Sequence, residues 1–302
     1  MNAVDLFAGA GGFSTGAAMA GCRVLWAANH WPAAVAAHSL NHPETAHICQ
    51  DLHQADWSKV PAHDLLLASP CCQGHSLARG KDRPHHDAAR STAWAVVSAI
   101  EYHRPQFALV ENVAEFRRWV LFPAWRLAVE ALGYAVGVYI RDAADHGVAQ
   151  NRKRLFLLLS RSKHAPQLRL EERDHRPARD HIRFDAHRWA PIAGKAPRTL
   201  ARIEAGRRVH GDRFVIPYYG SGSGLTGRSL DRPIGTISTL DRWAVIDGDR
   251  MRMLQPDELR LLMGFPADYA LPGTRRLAIQ LLGNAVCPPV ANDLIAALRK
   301  AA

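Results

Sequence analysis

The sequence predicts an α/β fold in which short apolar strands alternate with helices, followed by a basic stretch and a C-terminal return. Three observations support this. Apolar runs of strand length recur at residues 3–8, 24–28, 64–68, 106–110 and 155–159, with turn residues at their ends. Helix-spaced segments separate them at 12–20, 33–40, 92–102 and 123–132. The first run leads straight into Gly9-Ala10-Gly11-Gly12, the strand, glycine turn and helix arrangement that lets backbone amides approach a ligand. With 302 residues, the chain has room for one large core and a smaller second lobe.

Composition narrows the function classes. Hydrophobic content of 48% and charged content of 22% are those of a soluble globular protein. No stretch approaches the ~20 uninterrupted apolar residues of a membrane span, and the first residues lack a signal-peptide pattern. The expectation is a cytoplasmic protein without a membrane partner. Five cysteines, two of them adjacent, do not make a disulfide framework and suit a reducing compartment. Net charge is +10, and residues 161–213 supply +7 of it, with 14 Lys/Arg against 7 Asp/Glu and five histidines besides. Charge concentrated in this way marks a polyanion-binding surface, so nucleic acid is the leading partner.

The elements follow in order. After the first helix, Gly21-Cys22-Arg23 turns the chain into the second strand, at whose end a dinucleotide enzyme places an acid; here stands Asn29, then His30-Trp31-Pro32. Trp26 and Trp31 are expected to pack rather than stack on a cofactor. A third strand near residues 47–49 ends at Gln50-Asp51-Leu52. The strand at 64–68 runs into Ser69-Pro70-Cys71-Cys72-Gln73-Gly74-His75-Ser76. A thiol just beyond such a strand suits a nucleophile at the ligand-binding edge. Taken alone, it equally suits a buried small hydrophobe. Residues 75–87 are polar and carry Arg79, Gly80 and Pro84, the profile of an active-site lid. His85 and His86 have no metal-ligand spacing around them, so no metal site is expected.

The strand at 106–110 ends in Glu111-Asn112-Val113, which puts a carboxylate at the same edge as the thiol. A surface acid or helix cap is the commoner reading of such a residue by itself. Gln150-Asn151-Arg152-Lys153-Arg154 precedes the strand at 155–159; arginines at alternate strand positions share a face, and an Arg pair suits base oxygens or phosphate. From 160 to 229 helix and strand signals fade, and Tyr218-Tyr219-Gly220-Ser221-Gly222-Ser223-Gly224 reads as a flexible, DNA-facing loop. Further on come strand-like residues 243–246 and a helix from Pro256 whose first turn carries Asp257 and Glu258. The chain closes with an apolar helix.

At this point the chain resembles the C5-cytosine-specific DNA methyltransferases, over nearly its full length. Six elements occur in order: residues 5–13 (Asp-Leu-Phe-Ala-Gly-Ala-Gly-Gly-Phe), Cys72-Gln73-Gly74 with Ser76, Glu111-Asn112-Val113, Gln150 to Arg154, Arg232 to Thr236, and Gly283-Asn284-Ala285-Val286. No single element is decisive, but the ordered set is highly specific. The resemblance implies a class I methyltransferase (Rossmann-like) fold, a mixed and mostly parallel sheet with helices on both faces, closed by the C-terminal helix returning beside the first strand. The large domain would span 1–160 and 277–302. A smaller domain at 161–276 would carry the basic target-recognition region.

The resemblance also implies roles. Cys72 would add to C6 of a flipped-out cytosine, making C5 enamine-like and able to take a methyl group. Glu111 would serve N3 and the exocyclic amine, and Arg154 with Arg152 beside it would hold O2. S-adenosylmethionine would lie against Asp5, Phe7, Ala8, Gly9, Gly11, Gly12 and Phe13, with Asn29, His30, Asp51 and Leu52 around ribose and adenine, and Asn284 and Val286 closing the far side. Gln73, Ser76, Arg79, Gln150, Arg232 and Thr236 would meet double-stranded DNA. A cognate restriction endonuclease is the one candidate protein partner, and none is obligate. Two departures stand out: Asn29 replaces the usual ribose-gripping Glu, and Cys71 replaces the proline before the nucleophile. A transfer-RNA cytosine methyltransferase would share the catalytic residues but lacks a Cys-Phe-Thr counterpart here. The intact Cys72, Glu111 and Arg154 weigh against a silent DNA-binding relative, and the absent ribose acid and glycine spacing weigh against a nicotinamide oxidoreductase.

Overall fold

A computed structural model describes residues 1–71, 91–218 and 225–301. The chain forms two compact units, one of Met1–Asp142, Lys153–Glu171 and Ala285–Ala302, the other of Ala143–Arg152 and Glu172–Asn284.

The first unit is built on seven strands: β1 (Asn2–Leu6), β2 (Arg23–Asn29), β3 (Ala46–Cys49), β4 (Leu65–Ala68), β5 (Phe107–Asn112), β6 (Ala135–Asp142) and β7 (Lys153–Ser160). Their order across the sheet is β3-β2-β1-β4-β5-β7-β6. The first five run parallel, and β7 is antiparallel to both β5 and β6. β1, β4 and β5 are buried almost throughout, which is why residues 65–68 and 107–110 read as unbroken apolar runs rather than alternating ones. Reversal of strand order at β1/β4 opens a crevice at the carboxyl ends of the parallel strands, where ligands of such sheets bind.

Helices cover both faces. On one side α3 (Ala93–His103) and α4 (Phe122–Ala131) bury Val96, Ile100, Trp125 and Val129 against Val4, Leu6, Leu66 and Val110. Two of the polar aromatics in this core have backbone acceptors: Trp125 Nε1 donates to the Ala93 carbonyl at 2.9 Å and Tyr134 OH to the Pro105 carbonyl at 2.7 Å. On the other side lie α1 (Gly12–Met19) and α2 (Pro32–Asn41). The C-terminal helix α8 (Pro288–Ala301) packs on α1, so the return is to the first helix rather than beside the first strand. Gly16 makes the contact possible: a Cβ there would run into Pro288 O at 2.6 Å.

The second unit holds a five-stranded antiparallel sheet ordered β10-β9-β11-β12-β8, from β8 (Ala190–Pro191), β9 (Arg213–Pro217), β10 (Arg228–Ser229), β11 (Trp243–Asp247) and β12 (Arg250–Met253). Helix α5 (Pro197–His210) lies on it, burying only Ile203 and Gly206, in a cluster with Phe214, Ile216, Ala244 and Ile246. Helices α6 (Pro256–Leu262) and α7 (Arg275–Asn284) complete the unit. Glu258 is fully buried, chelating Arg252 at 2.6 and 2.7 Å while accepting the Gln255 and Arg183 amides. Within Arg275–Ala301 an 18-residue window has the mean hydropathy (1.3) of a membrane span, but 67% of that window is buried inside the fold, and Pro288 restarts the helix after a break.

Candidate active site

The topology of the first unit brings the sequence-predicted residues to one sheet edge. Parallel strands β1 to β5 all end there, and antiparallel β7 begins there. Residues 7–12 follow β1, Asn29 ends β2, Asp51 lies two residues past β3, Pro70 and Cys71 follow β4, Glu111 and Asn112 end β5, and Arg154 is the second residue of β7.

The turn after β1 has an unusual backbone. Phe7 adopts φ 59°, a left-handed conformation rare outside glycine, followed by Gly9 at 55° and Gly11 at 84°. A Cβ on Gly9 would meet nothing nearer than Phe7 O at 3.8 Å, so space is open above the turn. Gly12 is different, because a Cβ there would collide with the Val286 carbonyl. Helix α1 carries no side-chain cap on Gly11 and no acid in its first turn, which leaves its N-terminus suited to a carboxylate. The Asn29 oxygen accepts the Trp31 amide at 3.0 Å; a backbone N–H needs an acceptor, so this bond fixes which way the side-chain amide faces. Asp51 is exposed and accepts both the amide and Nδ1 of His53, and these bonds hold its carboxyl below the usual range. A glycine turn with open space, an uncapped helix, an amide donor and an ionised carboxylate make a donor set that fits an adenosyl amino acid.

At the other end of the edge, Glu111 and Arg154 meet. Glu111 pairs in register with Phe156, so Arg154 two residues away shares its face. Arg154 Nε lies 3.3 Å from Glu111 Oε1, with side-chain exposures of 18% and 9%. Such a pair leaves a carboxylate and a cation side by side at a partly buried surface, where both can serve a planar polar ring. Asn112 Nδ2 holds the Pro70 carbonyl at 3.1 Å and its own Oδ1 accepts the Val113 amide, which ties the segment entering the cysteines to β5. The Cys71 amide donates to Thr92 Oγ1 at 3.0 Å. Cys72, Gln73, Ser76 and Arg79, and the expected lid, lie outside the described residues.

Several expected site residues serve the architecture instead. Phe13 is buried, edge-on to Phe156 at 6.2 Å, and Leu52 belongs to the core. Asp5 is fully buried and bonds Ser14 at 2.7 Å. Arg152 does not share the face of Arg154. It precedes β7, belongs to the second unit and is buried, with Nη1 on the Ile237 carbonyl and Nη2 on the Gly283 carbonyl, each at 2.9 Å. Gln150 is likewise buried, accepting the Ile237 amide and donating to Leu262 O and Met263 Sδ. In the second unit Arg232 and Thr236 are exposed, the latter donating to Asn151 O, and Asn284 is exposed at the end of α7. His30 is exposed beside Asn29 and Val286 is buried. Sequence reasoning missed His38, which joins Ser14 behind the glycine turn. Its only sequence signal was a histidine on the inward face of an otherwise alanine-rich helix.

Known proteins resemble this chain in sequence and in fold. The sequence profile of the C-5 cytosine-specific DNA methylase family fits residues 1–183 and 193–300. Type II methyltransferase M.NlaX of Neisseria lactamica is 27% identical, the match spanning 99% of this chain and 96% of that one. Type II methyltransferase M.AgeI of Thalassovita gelatinovora is 32% identical over 168 residues, 52% of this chain but only 39% of that protein's length. Among solved structures, a mutant DNMT2 of Spodoptera frugiperda superposes with a TM-score of 0.73 at 17% identity, covering 99% of both chains.

Proposed function

This chain belongs to the C-5 cytosine-specific DNA methylase family, whose reaction moves a methyl group from S-adenosylmethionine to C5 of cytosine in DNA, and we propose how its own residues divide that work. The paired Glu111 and Arg154, at the same edge as the glycine turn and the segment entering Cys72, carry the reading.

Cytosine C5 is a poor nucleophile while the ring is aromatic. The Cys72 thiolate adds to C6, its electron pair forming the C–S bond and pushing charge toward N3 and O2. Glu111 donates a proton or a strong hydrogen bond at N3 and accepts from the exocyclic amine. Arg154 steadies the charge at O2 and holds Glu111 in place. Bound S-adenosylmethionine supplies an electrophilic methyl group. Residues 7–12 and the α1 N-terminus hold its amino-acid end, while Asn29 and Asp51 hold the ribose and adenine. A base within a duplex cannot reach Glu111, so the cytosine is taken out of the stack. The basic second unit supplies phosphate and base contacts through Arg232 and Thr236, and Arg152 acts as a positioning residue. The relatives named Type II methyltransferases support an enzyme that methylates one short DNA site. A restriction endonuclease of the same specificity as its counterpart, and a cytoplasmic setting suited to five cysteines without a disulfide framework, complete the proposal.

Bisulfite sequencing of plasmid from cells expressing the wild type, Cys72→Ala and Glu111→Gln tests the assignment. Protected cytosines in one short context are expected with the wild type and are lost in Cys72→Ala. Glu111→Gln should lower single-turnover methylation ~100-fold or more. Protection persisting in Cys72→Ala but not in Cys71→Ala would move the nucleophile one residue back.

A further inference from the structure

Behind the glycine turn lies a polar chain that the reaction does not use. Asp5 on β1 has no exposure, Oδ2 accepts Ser14 Oγ at 2.7 Å, and Oδ1 has no hydrogen-bond partner among the described residues. Ser14 Oγ lies 2.9 Å from His38 Nε2, and His38 Nδ1 lies 2.8 Å from His47 Nε2. His38 is 1% exposed, whereas His47 on β3 is only half-buried, so the chain runs from the deepest part of the first unit toward solvent.

Donor and acceptor roles in this chain are coupled. A hydroxyl has one proton to give, and a neutral imidazole is a donor at one nitrogen and an acceptor at the other. When Asp5 is a carboxylate, Ser14 donates to it and therefore accepts from His38 Nε2–H. The bare His38 Nδ1 then accepts from His47 Nε2–H. When Asp5 is a carboxylic acid that donates to Ser14, every bond reverses: Ser14 donates to His38 Nε2, and His38 Nδ1–H donates to His47 Nε2. The Thr45 backbone lies within hydrogen-bonding reach of the His47 ring. We propose that Ser14, His38 and His47 form a proton-conducting chain between solvent and Asp5, and that His38 is thereby a positioning residue for the cofactor loop.

The step balances with one proton. His47 Nδ1 takes it from solvent, His47 Nε2 passes its own to His38 Nδ1, His38 Nε2 passes its own to Ser14, and Ser14 passes its own to Asp5 Oδ2. No ring carries a net charge before or after. The groups facing the chain agree with this. Asp5 is touched by Ser14 of α1, and its register neighbours on β2 and β4 are Ala27 and Leu67. His38 faces His42 at the end of its own helix and His47 on β3, ring centroids 4.5 and 4.9 Å away. α8 brings Arg299 to the far end of α1, on the Ala20 carbonyl. Burial lifts the Asp5 carboxyl to about 7, against the pull of the Ser14 hydroxyl and amide, and drives His38 well below its ordinary value, so the acid titrates while the ring stays neutral.

The link to the loop is geometric. Asp5 and Ser14 stand at the two feet of the turn formed by residues 7–12. The carboxylate accepts the Ser14 hydroxyl, which ties the two feet of the turn together at the start of α1. Protonating Asp5 reverses that bond and replaces a charge-assisted contact with a weaker neutral one. A branch supports the same turn: Thr15 Oγ1 donates to the Gly11 carbonyl at 2.7 Å and lies 3.2 Å from His42 Nε2.

Long-range 15N NMR of the labelled full chain across about pH 5.5 to 9 reads the tautomer of His38 directly. The expected result is a neutral ring throughout, protonated at Nε2 above a midpoint near 7 and at Nδ1 below it, with the switch lost in Ser14→Ala. A second readout is the Kd for S-adenosylhomocysteine, which should weaken about tenfold below the midpoint in the wild type and become flat with pH in Ser14→Ala. An imidazolium at His38, or one tautomer at every pH, would overturn the proposal. The affinity readout alone rests on the cofactor assignment. A tautomer switch with no binding at any pH would leave the proton chain standing and strike that assignment instead.

Discussion

Glu111 and Arg152 show how a residue's place in the backbone decides its work. Arg152 and Arg154 are two positions apart, yet only Arg154 reaches a carboxylate in the first unit; Arg152 spends its guanidinium on two carbonyls of the second. Arg152→Ala removes a buried charged donor and leaves both carbonyls short of a partner, so it should destabilise the fold by about 3 kcal/mol, read by chemical denaturation. Arg154→Ala should leave the midpoint within about 1 kcal/mol and instead cut the single-turnover rate ~100-fold. Equal stability losses for the two variants would show that the role division is wrong. Asn29 is the second test at this scale. Its oxygen is already engaged by Trp31, so the side chain offers its amide where a carboxylate would offer two acceptors. Asn29→Glu should tighten S-adenosylhomocysteine binding by about tenfold in calorimetry; an unchanged or weaker Kd would mean that Asp51 already supplies the acceptor.

At the scale of elements, the contact between α1 and the segment leading into α8 is set by two glycines with no room for a methyl group. Gly12 faces the Val286 carbonyl, a backbone atom that cannot rotate away. Gly12→Ala should therefore cost ~3 kcal/mol and lower Tm by roughly 10 °C, with loss of cofactor binding as the turn shifts. A Tm within a degree or two of wild type would show that the segment slides freely. α5 makes the opposite point. Of its 14 residues only Ile203 and Gly206 are buried, so no apolar stripe announces it. The available signals were Pro197 at its start and Gly211, at φ 74°, just past its end. Its anchors are distant in sequence: Arg207 reaches the Gly248 carbonyl and Asp249, and Gly206 sits against the Phe214 ring.

For the whole molecule, buried titratable groups set the response to pH. Burial lowers His38, His42 (to about 4), His47, His63, His103 and His181 below their ordinary value. Each is neutral in the fold but takes a proton in the unfolded chain below about pH 6.5, so stability present above that pH is lost as it falls toward the folded value. Asp5 acts oppositely: its carboxyl, raised to about 7, binds a proton in the fold before the unfolded chain does, so its term weakens the fold as pH rises from about 4 to 7. Six groups outweigh one. Tm should fall by on the order of 5 °C between about pH 7 and pH 5, in calorimetric scans at fixed ionic strength. Stability constant across that range would mean the imidazoles are hydrated in solution.

By itself the sequence determined most of the first unit and the membership of its edge. Strands β1, β2, β4, β5 and β7 were legible because a strand buried on both faces must be apolar at every position, and the turn residues beyond them bear the chemistry. The order of six motifs nominated the cysteine, the carboxylate and the glycine turn; the last two lie at that edge, and Cys72 lies outside the described residues. Three-dimensional packing alone decided which of two neighbouring arginines meets Glu111, that Gln150 turns inward, that Asp5 lies beneath the turn rather than within its reach, and that Ser14, His38 and His47 line up behind it. These are contacts between residues 9 to 131 apart in the chain. Local propensity cannot encode them, because their energy exists only once distant backbone segments have been brought within bonding distance.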